Sequence, residues 1–323
     1  MPINFFDFSV IIQGPIIGKL EDGVENQLTI RCINSIRKHL PGAEVIISTW
    51  KNEKVHHLYF DKIVFNSDPG GITYNDFELK GVYNNNNRQI TTTIAGLNLA
   101  TRKYSIKMRG DFYFENTNFL NFINKYNKVN SFKFFEQRVI VPTYFSRNPE
   151  KIPLLFHISD LFQIGLTKDL QSLWNIPLQP EPQTTRAYNY NVKFLNDPFR
   201  FNQYKMQFAS EQYIWHQFAK SKNLNLDLDY FCQVPFKLIL PATLSIIDNF
   251  VITSPQQLGI NFPERLFHGE DNLYTFKEWE NLYLKLCVNN LKIRKLQLQF
   301  NVCKTSINFK LKNTIKNIKQ LFK

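Results

Sequence analysis

The first 115 residues alternate between short apolar runs and stretches of helical periodicity, and few architectures accept that alternation. Phe8-Ser9-Val10-Ile11-Ile12 is halted by Gly14-Pro15 and reads as a strand buried on both faces. Leu28, Cys32, Ile36 and Leu40 then recur at i+4, and Pro41-Gly42 ends the helix they define. Val45-Ile46-Ile47 and Ile63-Val64-Phe65 supply a second and a third strand, the latter stopped at Asp68-Pro69-Gly70-Gly71. Ile90, Ile94 and Leu97 mark a helix opening near Asn87, and Tyr104 to Met108 forms a fourth strand closed by Arg109-Gly110-Asp111. Strands separated by helices of this size build βαβ units and a mostly parallel sheet, whose ligands gather at the C-terminal ends of the strands. The fold class is α/β, with a Rossmann-like central sheet and flanking helices.

Beyond residue 115 the pattern is less regular. Phe119 to Tyr126 predicts a short helix, Val139-Ile140-Val141 a strand, and Gln207 to Ala219 a helix with Ser210 as its N-cap. Ile176 to Pro198 carries four prolines and predicts a long loop, of the kind that is usually functional or mobile.

Composition narrows the class. The 323 residues are 43% hydrophobic and 20% charged, which suits one large domain with a real core and excludes global disorder. Cys32, Cys232, Cys287 and Cys303 show no CxxC spacing, so neither a disulfide framework nor a structural zinc is expected. Met1-Pro2-Ile3-Asn4 begins neither a basic region nor a long apolar run, and no stretch of about 18 apolar residues follows anywhere. Neither a signal peptide nor a membrane span is expected.

The net charge of +12 is unevenly placed. No Asp or Glu follows Glu280, whereas ten of the 39 basic residues do, leaving 29 against 27 acidic residues in the body. A nearly neutral body with a basic tail speaks against a nucleic-acid-binding core. Within the tail Ile307, Phe309 and Leu311 alternate like a strand, but Leu311, Ile315, Ile318 and Phe322 share one helical face with Lys312, Lys316 and Lys319 around it. A short basic amphipathic helix lies on an anionic membrane surface; the plainer alternative is a solvated terminus.

Gln13-Gly14-Pro15-Ile16-Ile17-Gly18-Lys19 has the wrong glycine spacing for a phosphate loop, and a leucine follows the lysine. More informative is convergence. Gln13-Gly14-Pro15, Ser48-Thr49-Trp50, Asp68-Pro69-Gly70, Asn87-Arg88-Gln89 and Lys107-Met108-Arg109-Gly110-Asp111 all end a strand or open the helix after it. An open sheet brings these segments to one edge. There they offer an indole on which a base can stack and three cations (Arg88, Lys107, Arg109) beside a helix N-terminus, a setting for a pyrophosphate.

These segments also carry a resemblance. Val10-Ile-Ile-Gln-Gly-Pro-Ile, the run from Ser35 to Lys51, Asp68-Pro-Gly-Gly, Asn87-Arg-Gln-Ile and Ile106-Lys-Met-Arg-Gly-Asp together resemble the WavE family of lipopolysaccharide and capsule biosynthesis proteins, with Ser159-Asp160-Leu-Phe and Ser210-Glu211-Gln212-Tyr as further matches. The resemblance implies a GT-A-type bacterial glycosyltransferase at the cytoplasmic face of the inner membrane, peripheral rather than spanning. It implies a nucleotide-sugar donor and a glycan or lipid-linked glycan acceptor. Residues 1–115 are then the donor half, 116–280 the acceptor half of the same domain, and 281–323 a basic extension.

Such enzymes usually carry Asp-x-Asp after the fourth strand, where it holds a divalent cation on the donor diphosphate. Here Arg109 stands in place of the first carboxylate. Either Asp111 binds Mg²⁺ or Mn²⁺ with help from His157 or Asp160, or Arg88, Lys107 and Arg109 neutralise the leaving diphosphate. Glu211 resembles the acidic general base of inverting enzymes, and Asp160 is the second candidate; a first-turn Glu that complements a helix dipole and a turn-capping Asp are the structural alternatives. The rivals to glycosyl transfer are sugar nucleotidyl transfer and non-catalytic binding of glycan or nucleic acid.

Overall fold

The computed structural model describes residues 3–18, 27–73, 83–180, 207–224, 227–266 and 270–321. Lys19, most of the predicted loop at 176–198, and Phe322 lie outside the described residues.

In chain order the strands are β1 (Phe8–Gln13), β2 (Glu44–Trp50), β3 (Lys62–Asn66), β4 (Ile72–Thr73), β5 (Tyr83–Asn84), β6 (Tyr104–Arg109), β7 (Tyr113–Phe114), β8 (Val139–Pro142), β9 (Gln163–Leu166), β10 (Phe250–Thr253) and β11 (Ile260–Asn261). Seven of them form the central sheet in the order β10-β8-β9-β6-β1-β2-β3. Every pairing in it is parallel except the two made by β9, which runs against both β6 and β8. The strand direction is thus common to six strands, and the sheet continues without a break from the first half of the chain into the second.

β1 is buried along its whole length and β2 up to Trp50, as expected for strands covered on both faces. The covering helices are α1 (Leu28–His39) and α2 (Asn86–Leu99), at the positions their periodicity predicts. A Cβ on Gly96 of α2 would lie 2.5 Å from Ile11 Cγ2 and 3.0 Å from Ser48 Cβ, so this glycine lets the helix settle directly on β1 and β2.

The second half adds α3 (Thr167–Trp174), α4 (Ser210–Ser221), α5 (Phe236–Asn249), α6 (Pro255–Leu258), α7 (Phe276–Tyr283) and the terminal α8 (Lys292–Leu321). Trp174, Trp215 and Trp279, each fully buried, anchor its aromatic core. The expected helix at Phe119–Tyr126 is a 3-10 turn over Asn118–Phe122. The N-cap of α4 is Ala209 rather than Ser210: Gln212 Oε1 accepts the Ala209 N–H at 3.0 Å, while the Ser210 hydroxyl stands 3.4 Å from Asn84 Oδ1. Residues 307–311 are helical, which resolves the tail's ambiguous pattern against a strand. No helix among the described residues is long and apolar enough to cross a membrane.

Candidate functional site

Strand register assembles the site. Gln13 pairs with Ser48 on one side and Arg109 on the other, and Trp50 pairs with Asn66, so the ends of β1, β2, β3 and β6 share one edge. Together with the first turns of α2 they enclose a cleft of ≈ 440 Å³. Its lining residues are Gln13, Gly14, Pro15, Ile17, Trp50, Asp68, Asn85, Arg88, Gln89, Thr92, Arg109, Gly110 and Leu161. Gly14 turns with φ +102, and a Cβ there would meet nothing within 4 Å, which leaves the backbone open to a ligand. Of the four tryptophans, Trp50 alone lines this cleft; the others belong to the core.

The cations are held in place by carboxylates. Arg88 donates from Nε and NH2 to the two oxygens of Asp68 at 2.8 and 2.7 Å, and from NH1 to Asn85 Oδ1 at 2.9 Å. The hydrogen bond from Arg88 holds the Asp68 carboxyl below its ordinary range. Arg109 donates to Asp111 Oδ1 at 3.0 Å and to Oδ2 at 3.1 Å, and Arg265 also donates to Oδ2. Burial alone would raise the Asp111 carboxyl, but the two guanidiniums bring it below the usual carboxylate range. Among the described residues, Asp68 pairs with Arg88, and Asp111 is shared by Arg109 and Arg265.

Asp111 and His157, the residues expected to hold a divalent cation, do not fit that task as arranged. Both Asp111 oxygens are taken by arginines, and its side chain is fully buried. His157 turns Nδ1 to the Phe145 carbonyl at 2.9 Å and Nε2 towards Glu211 Oε2 at 3.5 Å. Among the described residues no group of three or more His, Cys, Asp or Glu could hold a metal.

A second cluster lies behind the cleft wall. Asp160 precedes the lining residue Leu161, and its backbone carbonyl accepts both Gln89 Nε2 at 3.2 Å and Lys107 Nζ. Glu211 opens α4, whose Ser210 touches Asn84, the neighbour of the lining residue Asn85. Burial pushes the Asp160 carboxyl up, reinforced by the charge of Glu211 and opposed by Lys107 and His157. Glu211 is likewise raised by burial, against its own backbone N–H and Arg147. Burial lowers Lys107, countered by Asp160, and Lys107 Nζ sits 4.9 Å from the centre of the Trp174 ring.

Burial and then Arg147 depress His157 to about 4, so its ring is neutral at pH 7. A carbonyl oxygen can only accept, so Nδ1 carries the proton and Nε2 presents a lone pair to Glu211. Two aromatic residues beside this ring, Phe145 and Phe156, hold left-handed backbone at φ 62 and 59. Bulky residues adopt such angles only where the surroundings impose them, as functional sites do.

The predicted donor residues therefore divide. Gln13, Gly14, Pro15, Trp50, Asp68, Arg88, Gln89 and Arg109 line the cleft. Thr49, Pro69, Gly70, Asn87, Lys107 and Asp111 are not among its described lining. Thr49 is fully buried, and Asn87 clamps Gln179 through its amide, donating to the backbone carbonyl at 3.0 Å and accepting from the backbone N–H at 2.7 Å. Asp111 acts on the cleft through Arg109, and Lys107 underpins the Asp160 segment. Sequence reasoning missed Arg265 and Arg147, which meet the site from distant loops, and Thr92, which donates to Gln13 Oε1 at 2.8 Å. Thr92 was within reach: it lies one turn after Arg88 on α2.

Residues 8–313 match the family described as WavE lipopolysaccharide synthesis. The chain belongs to the WavE family. That membership gives it a role in lipopolysaccharide synthesis. A search of curated proteins finds no match. Among solved structures, 4-diphosphocytidyl-2C-methyl-D-erythritol synthase from Anaerococcus prevotii DSM 20548 is similar at 10% identity and a TM-score of 0.30, over 60% of this chain and 81% of that one. A TM-score this low supports no inference about the WavE chain.

Proposed function

We propose that this WavE protein is a glycosyltransferase that takes a sugar from a nucleotide-sugar donor and adds it to a growing surface glycan. One observation carries the reading: an indole, a bare glycine turn and two oriented arginines line a single cleft, and the buried Asp160, coupled by charge to Glu211, adjoins its lining residue Leu161.

In this reading the base stacks on Trp50 and the diphosphate lies over the Gly14 turn towards Arg88 and Arg109. Charge leaving with the nucleoside diphosphate is met by guanidiniums already fixed by Asp68 and Asp111, so little reorganisation is needed as it develops. Glu211 takes the proton of the acceptor hydroxyl. Its burial raises its affinity for that proton, opposed by its own backbone N–H and by Arg147. Residues 116–280 supply the acceptor's side of the site.

The test supplies two substrate sets to the purified protein. A glycosyltransferase releases nucleoside diphosphate from a nucleotide-sugar, slowly even to water. Release of pyrophosphate from a nucleoside triphosphate and a sugar 1-phosphate would instead make it a nucleotidyltransferase and overturn the proposal.

A further inference from the structure

The terminal helix α8 presents an apolar stripe, interrupted once by Lys304, that the other described residues leave uncovered. Ile293, Leu296, Phe300, Ile307, Leu311 and Ile315 are all more than half exposed, between 54% and 68%. The opposite side of the same helix is the one that docks: Leu298 and Val302 are fully buried, and the side chains of Arg294, Asn301 and Thr305 bond to Glu150. One face therefore anchors the helix to the body while the other faces out.

The spacing of the outer face says what kind of surface it suits. From Ile293 the steps run 3, 4, 4 to Lys304 and again 3, 4, 4 to Ile315. That is an eleven-residue repeat of about 3.67 residues per turn, close to the 3.6 of a straight helix. The stripe therefore stays nearly in line for about 33 Å, at 1.5 Å per residue. A sustained seven-residue repeat would be needed to wind against a second helix in a left-handed coil; Ile293, Phe300 and Ile307 keep that spacing, and Thr314 ends it.

Charge selects the occupant. Lys292, Lys304 and Lys310 are exposed on or beside this face, and no acidic residue follows Glu280. A second copy of the chain would bring one acid-free basic helix against another. A flat, apolar-cored, anionic surface fits both features.

We infer that α8 lies along an anionic phospholipid bilayer, with its apolar stripe among the acyl chains and its lysines at the headgroups. The helix binds in the plane of the surface and does not cross it. It fixes the body, through Glu150, at the membrane where a lipid-linked acceptor is found. The binding is independent of what the cleft catalyses.

The test mixes the full chain, without donor or acceptor, with vesicles and measures the bound fraction by sedimentation. The chain is expected to bind vesicles containing phosphatidylglycerol, to release as salt is raised, and to ignore pure phosphatidylcholine. Ile307→Asp/Leu311→Asp should weaken binding at least tenfold with the circular dichroism spectrum unchanged, because both side chains are exposed. Lys304→Glu/Lys310→Glu should do so by about fivefold or more per residue, from roughly 1 kcal/mol per cation at the surface. Unchanged binding in both variants, or equal binding to neutral vesicles, would overturn the inference. So would a concentration-dependent dimer that both double variants dissociate in a chain that ignores vesicles, since the stripe would then belong to a second copy.

Discussion

His157 and Glu211 face each other across 3.5 Å, with the imidazole neutral and its bare Nε2 turned to the carboxylate. The ring's other nitrogen donates to the Phe145 carbonyl, so Nε2 has no proton to give and can bond Glu211 only by accepting from its protonated carboxyl. Glu211→Gln is expected to lower turnover by about 10² to 10⁴ while donor affinity stays within about twofold. Single-turnover kinetics paired with calorimetric donor binding separates these, and near-normal turnover in the variant would remove Glu211 from the role.

The same cluster sets a pH dependence. Asp160 and Glu211 are both raised by burial, and a general base works only when deprotonated. The rate should therefore rise with pH through an apparent pKa above the ordinary carboxylate range, and Glu211→Gln should abolish that limb. A profile flat from pH 5 to 8 in the unmodified protein contradicts this assignment.

The pairing of Asp111 with Arg109 and Arg265 predicts the response to chelators. Since neither carboxylate oxygen is open to a cation, excess chelator should leave the rate within about twofold. Arg265→Ala removes one of the two guanidiniums, loosening Asp111 and with it Arg109. The donor KM should rise by roughly tenfold, the scale of one charge-assisted hydrogen bond. Chelator inactivation reversed by Mn²⁺ would show a cation at work instead.

Asp68 orients Arg88 at an exposed edge, where an ion pair is worth about 0.5 to 1 kcal/mol. Asp68→Asn should accordingly raise the donor KM two- to fivefold and leave kcat nearly unchanged. A fall in kcat with KM constant would place Asp68 in the chemistry rather than in positioning.

Glu44 ties the strands beneath the cleft. Burial would raise its carboxyl, but hydrogen bonds from Lys62, Ser9 and Thr101 bring it from 4.5 down to about 2. A lowered folded-state pKa stabilises above the unfolded value, and that contribution is lost as pH falls from about 4.5 towards 2. The shift corresponds to about 3 kcal/mol at most. Urea titrations of Glu44→Gln should show a loss of order 2–3 kcal/mol at pH 7, falling to below about 1 kcal/mol at pH 2.5; an equal loss at both would deny the carboxylate its role.

The parallel half of the sheet was legible because β1, β2 and β6 are buried on both faces and must be apolar runs, and parallel strands bring their ends to one edge. That same logic found Trp50, Arg88 and Arg109. It could not distinguish a side chain at the edge that reaches the cleft from one that turns inward, as Thr49 and Asn87 do, since both readings share a backbone position. β9 was invisible: Gln163–Leu166 is short, contains Gly165, and pairs antiparallel without a hairpin signal. Arg265 meets Asp111 from 154 residues away, a contact no local pattern encodes. The tail's two patterns were separable only by packing, since Leu298 and Val302 need a body to bury against.

Calorimetric titration of a panel of nucleoside-diphosphate sugars into the full chain, into Trp50→Ala and into Arg109→Ala tests the cleft most directly. At least one donor should bind one-to-one, with Arg109→Ala weakening it tenfold or more and Trp50→Ala several-fold. Absence of binding by every donor, or equal affinity in all three proteins, would contradict the assignment of this cleft to the nucleotide-sugar.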